Sequence, residues 1–356
     1  MQAAAGVIGF ALLAAIVVDA FQTVVVARQA QTISWLTRLL LQFGWRLFAW
    51  TVRRLCPARR QETCLGIYGP LSLLMLLGVW AVGLILGFAA LQWAVGPRRE
   101  VSLSGFADDL YLSAGTFFTL GTSSPQTLLA RYLMVFEAGA GFSFLGLVIG
   151  YLPVLYQSYS SRELRILLLD ARAGSPPSAG GFLASMGDLP DWLEARLAGW
   201  EEWALDLLQS HLSYPMLAYY RSQHANQSWL AALTTIVDVS ALAMLGAEGA
   251  LKRQATLTFA AGRHALVHIA AVFRVQPSGA LPNRLPAEEF SELCAVLAAN
   301  RTPFPVERIP ETELARFRSM YEPHANALAA LFQLAVPPWV QSDTVVANWQ
   351  LTSWEP

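Results

Sequence analysis

Apolar residues fall into three long runs before residue 160 and recur at helical intervals after it. Residues 5–27 are almost wholly apolar, and Asp19 is the one charge in the first 27 residues. Residues 63–97 hold no charge and contain a second apolar segment at 68–94, with Trp93 near its end where an indole suits a membrane interface. A third uncharged stretch, 138–161, continues an apolar run that starts near Leu128 and ends near Tyr156. Each run is long enough for a bilayer-spanning helix, which needs about 20 residues. The first has no basic leader and no A-x-A site with a polar segment after it, so it reads as an uncleaved span.

The polar residues orient these spans. Arg28, Arg38, Arg46, Arg53, Arg54, Arg59 and Arg60 lie between the first and second, with Glu62 the one acid. Between the second and third, Arg98, Arg99 and Arg131 face Glu100, Asp108 and Asp109. Positive residues mark the cytoplasmic loop. The expectation is a plasma (inner) membrane protein with its N-terminus outside and its C-terminal part in the cytoplasm. Residues 34–55 are rich in Trp, Phe and Leu, and Gln31, Arg38, Gln42, Arg46 and Arg53 fall within roughly 80° of one another at 100° per residue. This is the pattern of an amphipathic helix on the lipid bilayer surface, or of a linker helix packed on the protein.

After the third span, Ser161 onward continues as helix to about Ala173, and Gly174-Ser175-Pro176-Pro177-Ser178-Ala179-Gly180-Gly181 breaks it. From Pro190, Trp192, Leu193, Leu197, Trp200, Trp203, Ala204, Leu207 and Leu208 recur at three and four. Further helices are expected at 213–224, 227–251, 254–275, 287–299 and 311–334. The segment 229–247 carries one charge, Asp238. It reads as the buried helix of an all-α bundle rather than as a fourth span. The domain reading is therefore 1–67, 68–157, 158–189 as a connector, and 190–356.

Composition narrows the function classes. Hydrophobic residues make up 55% and charged residues 14%, and mean hydropathy is +0.42, too little charge to cover a soluble protein of this length. A net charge of −1 leaves no broad basic surface for nucleic acid. Cys56, Cys64 and Cys294 form no C-x-x-C pair, against a disulfide framework or structural zinc. No G-x-S-x-G, Walker A, H-E-x-x-H or G-x-G-x-x-G motif occurs, so neither an enzyme nor a dinucleotide-binding domain is expected, and no cofactor. His264 and His268 stand at i, i+4, but no Glu follows His264, and no metal is expected. A polar patch from His211, Tyr214 and Arg221 through His224, Asn226, Gln227 and Ser228 reads either as a site for a small anion or ligand, with Arg221 as its charge, or as helix caps and domain contacts.

Residues 108–125, DDLYLSAGTFFTLGTSSP, lie between spans two and three. The first half is helical in pattern but too short to cross a membrane. Gly121 and the Thr/Ser/Pro cluster then break it. A short helix and a polar turn between two spans suggest a re-entrant loop. Non-helical backbone at membrane depth persists only where protein buries it or water lines it. The alternative is a helical hairpin packed between the spans without conduction. Asp19, with Gln22 and Thr23 at i+3 and i+4, lies about 13 Å deeper than Arg28 and reads as an anchor between helices or an ion-pathway residue.

Over 68–156 the chain resembles the pore-loop potassium channels. Their pattern is a pore helix, T-x-x-T-x-G-Y-G-D, a linker with Pro, and an inner helix that opens near an Arg and carries a Glu and a Gly. This chain has Thr116, Thr119, Leu120 and Gly121, then Pro125, Arg131, Glu137 and Gly141. The resemblance implies a filter lined by Thr119 and the carbonyls of Leu120 and Gly121, and a homotetramer that passes monovalent cations. It also implies a gating hinge at Gly141, with Gly146 beside it; close packing by small residues is the other reading of these glycines. The family's Gly-Tyr-Gly-Asp is here Gly121-Thr122-Ser123-Ser124. The second Gly and the bracing Tyr are missing, so the resemblance implies weak selectivity, with Thr122 and Ser123 hydroxyls facing the path. The runner-up function is a non-conducting membrane scaffold or ligand-sensing protein.

Overall fold

A computed structural model describes residues 2–24, 35–96, 103–121, 127–224, 226–277 and 283–341. All regular elements among the described residues are helical, and none is a strand. In chain order these are α1 (Gln2–Val24), α2 (Trp35–Leu55), α3 (Gln61–Gly66), α4 (Tyr68–Val95), α5 (Leu103–Phe117) and α6 (Leu128–Ala173). They continue with α7 (Ala179–Met186), α8 (Pro190–Ser213), α9 (Trp229–Gly246), α10 (Gly249–Val272), α11 (Ala287–Ala299), α12 (Glu311–Arg318) and α13 (Glu322–Phe332). The chain divides into two compact units. The first holds the described parts of 1–27, 33–56 and 67–157; the second holds those of 57–66 and 158–356.

In the first unit α1 lies along α4. The helices approach closely because Gly9 faces the Gly87 carbonyl, where a Cβ would come within 2.8 Å of the oxygen. Such small-residue contacts suit helices that have lipid rather than water around them, where dispersion contacts and not water exclusion drive association. α2 presents Thr37, Leu41, Trp45, Ala49 and Val52 inward and leaves Leu39, Phe43, Leu47 and Trp50 exposed on another side. Tyr68, the first residue of α4, donates its hydroxyl to Leu41 O at 2.8 Å and packs edge-on against Trp45. Thus α2 is fixed to α4 along one face and keeps a second apolar face outward.

In the second unit α9 is the central helix and packs on α7, α8, α10, α12 and α13. Residues Trp229 to Ala243 are buried without exception, which explains why the helix shows no polar face. Ser228 caps its start, its hydroxyl accepting from Ala231 N at 3.0 Å. Asp238 in mid-helix pairs with Arg284 at 2.7 Å, and Arg284 also reaches Glu322 at 2.9 Å. Tyr321 donates its hydroxyl to the same Asp238 carboxylate. A buried charge is tolerable only with partners of this kind.

Three expected helices differ. The segment 227–251 ends as α9 at Gly246, and its last residues open α10 at Gly249. The segment 213–224 holds a short 3-10 turn, Pro215–Tyr219, because Pro215 ends α8 and offers no N–H to extend it. The segment 311–334 is two helices. Pro323, in the first turn of α13, cannot bond back to residue 319, and the chain turns between α12 and α13.

Four helical stretches among the described residues are long and apolar enough to cross a membrane: Gln2–Val24, Ala58–Val95, Leu128–Ala173 and Trp229–Gly246. They are compatible with a multi-pass membrane protein. The last is covered by its own unit, whereas α1 leaves most of its apolar side chains exposed and α6 about half of them. That exposed apolar surface is compatible with lipid or another chain against it.

Candidate functional site

The first unit holds the residues that the sequence singles out around a short helix. At 1.5 Å per residue α5 is about 22 Å long, short of the about 30 Å of a hydrocarbon core. It is held from both sides. The Ser113 hydroxyl lies 2.8 Å from Ile85 O of α4 and within hydrogen-bond reach of a Glu137 carboxyl oxygen of α6. Glu137 is fully buried, and its second oxygen has no partner among the described residues. Trp93 of α4 packs edge-on against Phe106 of α5.

The end of α5 is tied by two backbone bonds. Leu120 N donates to Gly115 O at 2.8 Å and Thr119 N to Thr116 O at 3.0 Å. This is the Schellman arrangement, which places one left-handed residue just past the helix. Glycine usually fills that place; here it is Thr119, with φ 56°. A side-chain-bearing residue in this region costs roughly 1–2 kcal/mol, and such strain concentrates at functional sites. Gly121, two residues on, also has positive φ, at 74°. Residues 118–121 are exposed. Thr116 differs from Thr119: it is buried, and its hydroxyl turns back to Leu112 O at 2.8 Å. Thr122, Ser123 and Pro125 lie outside the described residues.

α6 supports this turn. A Cβ at Gly141 would fall well inside van der Waals contact distance of the Phe117 carbonyl oxygen, and the Phe117 ring packs on Phe144 at 5.7 Å. Gly146 has nothing near it among the described residues. The two glycines therefore do different things: the first seats the end of α5, and the second lies on an open face. Pro153 also sits inside α6. It removes a backbone bond to residue 149 and weakens the helix there. The sequence reading passed over it, although a proline within an apolar span is the usual signal.

Neither a family model, nor a curated protein, nor a solved structure matches this chain.

Asp19 is buried where α1, α2 and α4 meet. Its Oδ2 accepts from Trp80 Nε1 at 2.8 Å and from Thr37 Oγ1 at 3.0 Å. Thr23, at i+4, reaches Thr37 at 3.2 Å rather than Asp19 itself. This geometry is that of an anchor between three helices. The partners Thr37 and Trp80 lie far off in sequence, and nothing in the local pattern pointed to them.

The structure separates the polar patch of the second unit. His211 is in the core, its Nδ1–H on Leu207 O at 2.8 Å and its ring against Trp229. Burial, with the Arg162 charge adding to it, holds its pKa down to about 3, so it is a neutral core side chain near pH 7. Tyr214 lies half-buried just past α8, and His224 is exposed. Arg221 lines a cavity with Asn226, Gln227 and Ser228 from the end of the same patch, and with Glu62 from an earlier segment. His264 and His268 stack at 4.0 Å, and no group of three metal-ligating side chains forms among the described residues.

Arg162 is a further residue that sequence reasoning missed. It is buried on α6 and paired with Glu163, and it donates to Leu217 O at 2.8 Å and Tyr220 O at 2.9 Å. Ser222 completes the set by donating to Glu163 at 3.3 Å. The turn at 217–222 is thereby fastened to the part of α6 within the second unit.

Proposed function

We propose that this chain is one subunit of a homotetrameric pore-loop channel of the plasma (inner) membrane, passing monovalent cations passively with weak selectivity. One observation carries the reading. A helix too short to span sits between two long apolar helices and ends in a strained left-handed turn at Thr119–Gly121, seated on the bare Gly141 of α6. A single such turn encloses nothing, so several copies must bring their turns together. The exposed apolar length of α6 supports a second chain or lipid against it. On this reading α1, α4 and α6 span, α2 lies at the inner surface, and the second unit is cytoplasmic. There the Arg162 clamp passes motion of the helical domain to α6, which yields at Pro153. Detergent-extracted protein should be a tetramer, and proteoliposomes should release a monovalent cation down its gradient.

The runner-up is a non-conducting membrane scaffold or ligand sensor with the same helices. It draws support from the sequence Gly121-Thr122-Ser123-Ser124, which lacks the second glycine of a potassium filter. A stable tetramer without flux in any cation would favour it.

A further inference from the structure

The second unit contains a cavity of about 160 Å³ lined by Glu62, Pro176, Arg221, Asn226, Gln227 and Ser228 among others. Its chemistry is cationic at depth and acidic at the rim. The Arg221 side chain is 11% exposed, while that of Glu62, which meets it at 3.2 Å, is 70% exposed. Arg221 is held in place by donating to Phe332 O at 2.7 Å and Gln333 O at 3.0 Å. Those carbonyls end α13 and fix the guanidinium whether or not Glu62 is present. Ser228 opens α9, so the positive end of an 18-residue helix is at the cavity wall. Ser228 caps the Ala231 N–H, and the N–H groups of the first turn before it have no acceptor within the helix. Gln227 is 8% exposed, and neither end of its amide has a partner among the described residues. A buried amide left so costs free energy that a ligand or water can recover.

We propose that this cavity binds a small carboxylate of about amino-acid size, whose carboxylate takes the place of Glu62 on Arg221. Glu62 is itself the argument for the ligand's chemistry: it is a carboxylate on an exposed arm, set on a nearly buried guanidinium. An incoming carboxylate meets the same fixed group with the α9 N-terminus and the Gln227 amide beside it. The exchange moves no covalent bond; one ion pair opens and another closes. The main-chain oxygen of Arg221 accepts from Tyr159 of α6 at 3.2 Å, so occupation bears on the helix that carries the Arg162 clamp. The channel reading is needed only for what binding would do, not for whether it occurs.

The test is calorimetric titration of the full-length protein in detergent with succinate, L-glutamate and L-glutamine, and with inorganic phosphate and chloride as the other anions. At least one carboxylate should bind saturably. Glu62→Gln, which removes the competing arm and leaves the Arg221 seat intact, should tighten it about tenfold. Gln227→Leu should weaken it, with the circular dichroism spectrum and melting temperature retained. Carboxylate binding that is unchanged or weaker in Glu62→Gln would overturn the proposal. So would saturable binding of phosphate or chloride alone, or no saturation by any carboxylate in either form. Ion flux plays no part in this readout, so its failure and the failure of the channel reading are separate results.

Discussion

The carbonyl oxygen of Phe117 lies against the bare Cα of Gly141, so the last turn of α5 rests on α6 through a contact with no room for a methyl group. The pair ties the exposed turn 118–121 to the helix that follows it.

Gly141→Ala should therefore displace the end of α5. We expect a loss of about 1–3 kcal/mol from overpacking, and loss of cation flux with the oligomer intact. Gly146→Ala meets open space and should be neutral, or stabilising by about 0.5–1 kcal/mol through helix propensity. Thermal melts and liposome flux on the two variants check the contrast. Equal loss of flux in both, with no change in melting, would mark a shared hinge instead.

Thr119→Gly separates stability from function. Glycine adopts φ near 56° without a side-chain clash, so the variant should gain about 1 kcal/mol and melt higher. If the strained Thr119 lines a path, the same variant should alter ion preference or lower flux. A higher melting temperature with unchanged flux and selectivity would make the strain structural only.

His211 gives the second unit a pH dependence of known sign. Its ordinary pKa of 6.5 falls to about 3 on burial in the folded state. Between these values the unfolded chain binds the proton and the folded one does not, so stability rises with pH across that window and falls on acidification. The loss at about pH 5 should be about 2 kcal/mol. Melting temperatures measured between about pH 7 and about pH 5 should fall more steeply in the wild type than in His211→Gln, if the variant folds with Trp229 packed as before.

Much of the helical layout was legible because apolar runs and their breaks are local. The spans at 68–94 and 128–156 lie within α4 and α6, and 287–299 matches α11. The apolar segment after Trp229 reads as core from Asp238 and from Arg263, His264 and His268 on the adjacent helix, yet the counter-charge Arg284 lies 46 residues from Asp238 and carries no local signal. The pairing of Asp19 with Trp80 and the grip of Arg162 on Leu217 O are of the same kind. Backbone detail was also hidden: Thr119 reads as a filter hydroxyl, but that it is left-handed follows only from the bonds made by Leu120 N and Thr119 N. The Arg221 cavity draws Glu62 from a segment 159 residues earlier, while the neighbouring His211 points into the core.

A bi-ionic flux measurement reads directly whether tetrameric turns at Thr119–Gly121 conduct. Purified protein is reconstituted in liposomes with potassium inside and sodium outside, then with the gradients reversed. Passive flux of both ions with weak preference, abolished by Gly141→Ala, is the predicted result. No flux above that of empty liposomes from a verified, correctly folded tetramer would contradict it.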